Sequence, residues 1–259
     1  MKKVLIGLLV GTAFLFITGC KKQPTAEPVT SPESNSAVQA PAVKEPVAQE
    51  PKPVEAPVAK TDAKLEPIPL VLPKPMFVGT PENLAGIENL EPDTKMPRPQ
   101  FLAPAGVKNL ALNKPVTGSE TEPIAGSLSM AVDGDKEAAE GSVLEFGPFK
   151  QWIQVDLESE YELYAIVFWH FHKIPRVYFD VVVQVSNDAE FINDVKTLFN
   201  NDTDNSLGLG VGTDKHYIDK AEGKLVDAKG TRARYVRLLS QGNNQNDYSH
   251  YIEVEVFGK

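Results

Sequence analysis

Residues 251–257 alternate Ile252, Val254 and Val256 with Tyr251, Glu253, Glu255 and Phe257. A period of two marks a β-strand with one face on a core and the other mostly polar. The runs 165–169 and 181–183 are apolar on both faces and are therefore expected as central strands. Further candidate strands cover 152–157, 164–171, 178–186, 197–199 and 234–239, rich in Val, Ile, Tyr, Phe and Trp and divided by Asp, Asn, Gly and Ser. No long amphipathic helix competes with them. The pattern predicts an all-β antiparallel sandwich over 107–259, long enough to bury one sizeable core.

Upstream the character changes. Of 21 prolines, 17 lie at or before Pro104, whereas every Trp, Tyr and His lies at or after Trp152. Residues 21–64 are dominated by Ala, Pro, Val, Glu and Lys, with no aromatic residue. Such a composition cannot bury enough apolar surface to offset its conformational entropy, so it predicts a disordered, polyproline-rich tether reaching at most ~140 Å. Residues 65–106 are more apolar, through Leu70-Val71-Leu72, Met76-Phe77-Val78, Leu90 and Phe101-Leu102. They are expected as extended segments laid on the domain, the alternative being a disordered continuation of the tether.

The only cysteine, Cys20, ends an apolar run that begins after Lys2 and Lys3 and is too short to span a bilayer. Ile17-Thr18-Gly19-Cys20 resembles the bacterial lipobox, which implies a signal peptide over 1–19, a lipidated Cys20 and a cell-envelope location on the membrane surface. The alternative is an ordinary secretory signal. With Cys20 acylated, no thiol remains for a disulfide. Loss of the two lysines makes the mature chain more acidic still than the −9 of the whole sequence. An acidic surface without basic runs argues against nucleic-acid binding.

In order along the chain stand Asn109-Leu110-Ala111-Leu112-Asn113-Lys114-Pro115-Val116, Ala131-Val132-Asp133-Gly134-Asp135 and Trp152-Ile153-Gln154-Val155-Asp156-Leu157. Then come the Val181 strand with Asn187-Asp188, Ala233-Arg234-Tyr235-Val236-Arg237-Leu238 and Ile252-Glu253-Val254-Glu255-Val256-Phe257-Gly258. Together they resemble the discoidin family, coagulation factor V/VIII type C, which is similar to the family 32 carbohydrate-binding modules. The resemblance implies a galactose-binding-like jelly roll. It also implies a structural calcium ion, with carboxylates from Asp133 and Glu253, main-chain carbonyls from Met130 and Asp135, and hydroxyl and carbonyl from Ser142. The plain alternative is that Asp133-Gly134 is a tight turn and Glu253 a solvated strand residue.

The same resemblance implies a ligand site in loops at one end of the sandwich. His170, His172, Arg176 and Tyr178 occupy the matching segment, with the two histidines expected on one strand face. Leu144-Glu145-Phe146 stands where lectin members often carry a histidine or aromatic residue, which weakens an expectation of galactose or fucose specificity. For the histidines and Arg176 the alternatives are backbone hydrogen bonding and a surface ion pair. A polar, glycine-rich stretch over 200–212 reads as an ordinary loop, with a second cation or a ligand cover as its alternatives.

No Gly-x-Ser-x-Gly, His-Glu-x-x-His or free thiol is present, and the chain is expected not to be an enzyme. The sharpest catalytic alternative is a transition-metal site joining His170 and His172 to His216 or His250. The reading is therefore a non-catalytic envelope lipoprotein whose partner is a carbohydrate. Its rival is a structural module docking on an envelope protein.

Overall fold

The 19 residues Gln151–Trp169 form one strand, in which two buried, β-branched and aromatic stretches flank the polar, largely exposed middle Glu158–Glu162. In the computed structural model, which describes residues 64–259, this strand is β6 of thirteen. Cys20, the signal peptide and nearly all of the tether read from the sequence lie outside the described residues.

β6 pairs antiparallel along its length with β11 (Lys224–Ser240). The first half of β6 also pairs with β4 (Val116–Gly118), and its second half with β13 (Glu253–Gly258), which pairs in turn with β3 (Lys108–Asn109). On the other side β11 pairs with β8 (Val182–Ser186) and β8 with β9 (Lys196–Asn200). The long strands shift register between Asp227 and Thr231 and again between Ala233 and Tyr235. Such bulges bend a sheet, and the two halves close on one core. Ile153, Val155 and Leu157 from the first half of β6 pack in one cluster with Ile166 and Phe168 from the second, and with Val183, Val236, Val254 and Val256. The result is the expected all-β sandwich.

Two short pairs complete it: β5 (Leu144–Phe146) with β12 (Ser249–Tyr251), and β7 (Val177–Tyr178) with β10 (Tyr217–Ile218). The expected single strands 178–186 and 251–257 are thus each divided. The alternation of the last strand also breaks at Ile252, which joins a second cluster while Tyr251, Val254 and Val256 join the first. Nor is its other face solvated: Glu253, Glu255 and Phe257 are all buried.

That second face is covered by residues 64–106. β1 (Leu65–Pro67) and β2 (Leu102–Pro104) form an antiparallel pair, and Ile68, Leu70, Phe101 and Ala103 pack on Ala165, Val167, Trp169 and Phe257. The strap then clasps the domain edge. Glu91 N donates to His216 O at 2.8 Å and His216 N to Asn89 O at 3.0 Å. Arg98 donates through Nη1 and Nη2 to the carbonyls of Gly223 and Glu222, both at 2.7 Å. Gly223 is required at that turn, since a Cβ there would come within 2.6 Å of the Trp169 ring.

Candidate functional site

At one end of the sandwich, the loop after β6 and the loop between β11 and β12 meet β5. Asn244 locks the two loops: Val177 N donates to its side-chain oxygen at 2.7 Å, and Asn244 N donates to Val177 O at 3.1 Å. Between them lies Arg176, half-buried, with its guanidinium 4.7 Å from the Phe171 ring centroid and Nη1 3.3 Å from both ring nitrogens of His250. No carboxylate forms an ion pair with Arg176 among the described residues. His250 Nε2 donates to Glu145 Oε2 at 3.0 Å, an alignment set by the cross-strand pairing of His250 with Glu145. Burial, the Arg176 charge and His170 push His250 down to about 3, so its ring is neutral at ordinary pH. The Glu145 side chain remains 28% exposed. The site therefore offers a cationic donor, an anionic acceptor and an aromatic face at one surface. Ile124, exposed on the rim, directly precedes Ala125, whose backbone bridges to Glu145.

Beneath this surface lies a buried aromatic cluster that includes two residues expected in the ligand site. His170 is fully buried, donates from Nδ1 to His250 O at 2.7 Å and accepts at Nε2 from the Tyr217 hydroxyl at 2.8 Å. With both nitrogens committed and burial holding it down at about 4, it supports the fold and cannot meet a ligand. Tyr178 is also fully buried, stacked on His170 with centroids 4.1 Å apart. Its hydroxyl accepts from Phe171 N at 3.2 Å and fixes that loop from inside. His172 shares no strand face with His170, because β6 ends at Trp169 and the chain turns so that His172 N donates to His170 O. It is buried too, and its Nε2 donates to Lys136 O at 2.8 Å. Only Arg176, of the four expected ligand residues, reaches the surface.

Asp219, which the sequence did not single out, lies opposite Arg176, its N donating to Arg176 O at 3.3 Å. Its carboxyl is buried without a protein partner, and burial pushes it well above the usual carboxylate range. The four histidines form no shared metal group with one another. Among the described residues the three-carboxylate cluster is Asp180, Asp202 and Asp204, in and beside the 200–212 loop. Asp202 accepts there from Ser206 N, Ser206 Oγ and Leu207 N, which uses it to fix the loop's own backbone.

Of the expected calcium residues, Glu253 opens β13 and meets the Asp133–Ser142 loop through Gly134. Glu253 Oε2 accepts from Gly134 N at 3.1 Å, while Oε1 is buried with no partner. Burial, with Glu255 and Asp133 nearby, pushes this carboxyl up to about 8. Asp135 Oδ2 accepts from Ser142 Oγ at 2.8 Å, and Asp133 Oδ1 from Asp135 N at 2.8 Å. An orphaned buried carboxylate oxygen beside an acidic loop is a donor set that a hard cation suits. Glu255 is different, being paired with the Lys136 ammonium at 2.7 Å.

The F5/8 type C domain profile matches residues 115–254, more than half of the sequence. The chain belongs to the F5/8 type C domain family. No curated protein matches it. Among solved structures, the F5/8 type C chain is similar to chitosan-binding module 1 from a chitosanase/glucanase of Paenibacillus sp. IK-5, at 24% identity over 58% of this chain and 98% of that one, with a TM-score of 0.38. It is similar to the Streptococcus pneumoniae fucose binding module SpX-3, at 18% identity over 57% and 96%, TM-score 0.41. It is also similar to CpGH89CBM32-4 of Clostridium perfringens, solved with GlcNAc-alpha-1,4-galactose, at 16% identity over 60% and 96%, TM-score 0.42. The F5/8 type C match begins after the strap, so the clasp formed by residues 64–106 lies outside the matched region.

Proposed function

We propose that this F5/8 type C domain binds carbohydrate at the loop end around Arg176, without catalysis, and that it does so as a lipid-anchored protein of the cell envelope. The observation that carries the reading is the Arg176 guanidinium, unpaired by any carboxylate among the described residues and set between His250 and Phe171 beside a partly exposed Glu145. Sugar hydroxyls both donate and accept, so recognition calls for donor-only and acceptor-only groups side by side, and an aromatic face suits the C–H surface of a pyranose. Arg176 supplies donors, Glu145 an acceptor and Phe171 the face.

Calcium belongs to the same proposal as a structural ion, with Asp133, Glu253, Asp135, Met130 and Ser142 as its oxygen donors. Its chemistry would be to neutralise the Glu253 carboxylate, which burial leaves with one unpaired oxygen at the start of β13. Lipid on Cys20 would hold the chain at a membrane surface, and Cys20→Ser should release it to the soluble fraction. A glycan array probed with the wild-type chain, with calcium and with chelator, tests the binding reading. Binding to a restricted set of glycans supports it. No binding under either condition, with capture of an envelope protein instead, favours the docking alternative, to which the exposed Val78 and Met96 of the strap are suited.

A further inference from the structure

The loop holding the calcium donors and the loop holding Arg176 are joined by one side-chain hydrogen bond. His172 Nε2 donates to Lys136 O at 2.8 Å, and among the described residues it is the one such bond between 133–142 and 171–176. We propose that His172 is a positioning residue that passes occupancy of the Asp133–Glu253 cation site to the Arg176 loop, a step that rests on the calcium and ligand readings above.

The hydrogen-bonded links are short and part-buried. Lys136 lies three residues after Asp133 in a segment fixed to β13 twice, by Gly134 N on Glu253 and by the Lys136 ammonium on Glu255. A cation drawn between Asp133 and Glu253 tightens this segment and with it the Lys136 carbonyl. The His172 ring is buried, so water cannot readily replace its bond to that carbonyl, and breaking it leaves an unsatisfied group inside the protein. His172 N donates to His170 O at 3.1 Å, which pins the turn against the fully buried, doubly hydrogen-bonded His170. Phe171, held inside that turn, carries the ring on which the Arg176 guanidinium rests. Stiffening Lys136 thus restrains Phe171 and Arg176 without any contact between cation and ligand. Linkage makes the effect reciprocal, so a ligand on Arg176 should also tighten calcium.

Hydrogen exchange of the full chain, read at backbone amides 133–142 and 171–176 with calcium and with chelator, tests this. Calcium should slow exchange in both segments, by about tenfold at 171–176, the scale of ordinary coupling between sites. In His172→Leu the slowing should be confined to 133–142. In His172→Gln, whose amide can still donate to the Lys136 carbonyl, it should return at 171–176. Slowing at 133–142 alone in the wild type overturns the coupling and leaves the cation reading standing, as does a wild-type response in His172→Leu. No response to calcium in either segment removes both. Should His172→Leu fail to fold, His172→Met, which likewise cannot donate to the Lys136 carbonyl, takes its place, and a wild-type response in it overturns the coupling.

Discussion

Arg176 Nη1 lies equally far, 3.3 Å, from the two ring nitrogens of His250. Equal approach to both nitrogens places the guanidinium against the face of the imidazole, leaving Nε2–H free to donate to Glu145. Cation, neutral ring and carboxylate form one ordered stack. Removing the cation should let the ring take a proton more easily, since the Arg176 charge is one of the causes that hold His250 down. In Arg176→Ala the His250 titration followed by NMR should move up toward the ordinary value near 6.5. An unchanged titration would contradict the stack.

The buried histidines also set the pH response of the fold. His170 at about 4 and His250 at about 3 both lie below the histidine value of 6.5 expected in the unfolded chain. As pH falls through 6.5 the unfolded state takes up protons first, so the stability these residues provide is present above that pH and lost progressively toward pH 4, by up to ~1.4 kcal/mol per pH unit for each. Denaturant midpoints measured from pH 7 to 4 should fall accordingly, and His170→Gln should flatten part of the slope.

Chelation should lower the melting temperature, because an ion bound by the folded state alone stabilises it by about 2.7 kcal/mol at a hundredfold excess over Kd. Glu253→Gln should abolish the difference between calcium and chelator. Glu255→Gln should destabilise under both conditions alike, because it strands the partly buried Lys136 ammonium without its partner. Equal behaviour of the two variants would refute the assignment.

The strap should be as much a part of the folded unit as the sandwich. Ile68→Ala removes a buried side chain that packs between strap and sheet and should cost about 2–5 kcal/mol in equilibrium unfolding. A change within a few tenths of a kcal/mol would mean that residues 64–106 are only draped on the domain.

The all-β sandwich was legible because period-two alternation and β-branched runs are local signals, as in 152–157 and 165–169. Where a strand ends was not. The turn at His170 depends on a hydroxyl from Tyr178 and a carbonyl from His250, partners distant in sequence. His170 and Tyr178 were therefore expected at the surface, although the structure buries both. The same limit hid the covered face of the last strand: the side bearing Glu253, Glu255 and Phe257 read as mostly polar because nothing local reveals that it is buried, with the strap on Phe257 and the Lys136 ammonium on Glu255. Glu145 was noticed only as a departure from lectin members, and its meeting with His250 follows from the pairing of β5 with β12.

The central claim is that Arg176 binds carbohydrate without supporting the fold. Isothermal titration of the strongest glycan found on the array, into wild type and Arg176→Ala with calcium present, tests it most directly. A loss of ~1.5–3 kcal/mol of affinity is expected, as for a charged donor removed from a hydrogen bond, with the melting temperature nearly unchanged. Undiminished affinity in Arg176→Ala, or a variant that no longer folds, would contradict it.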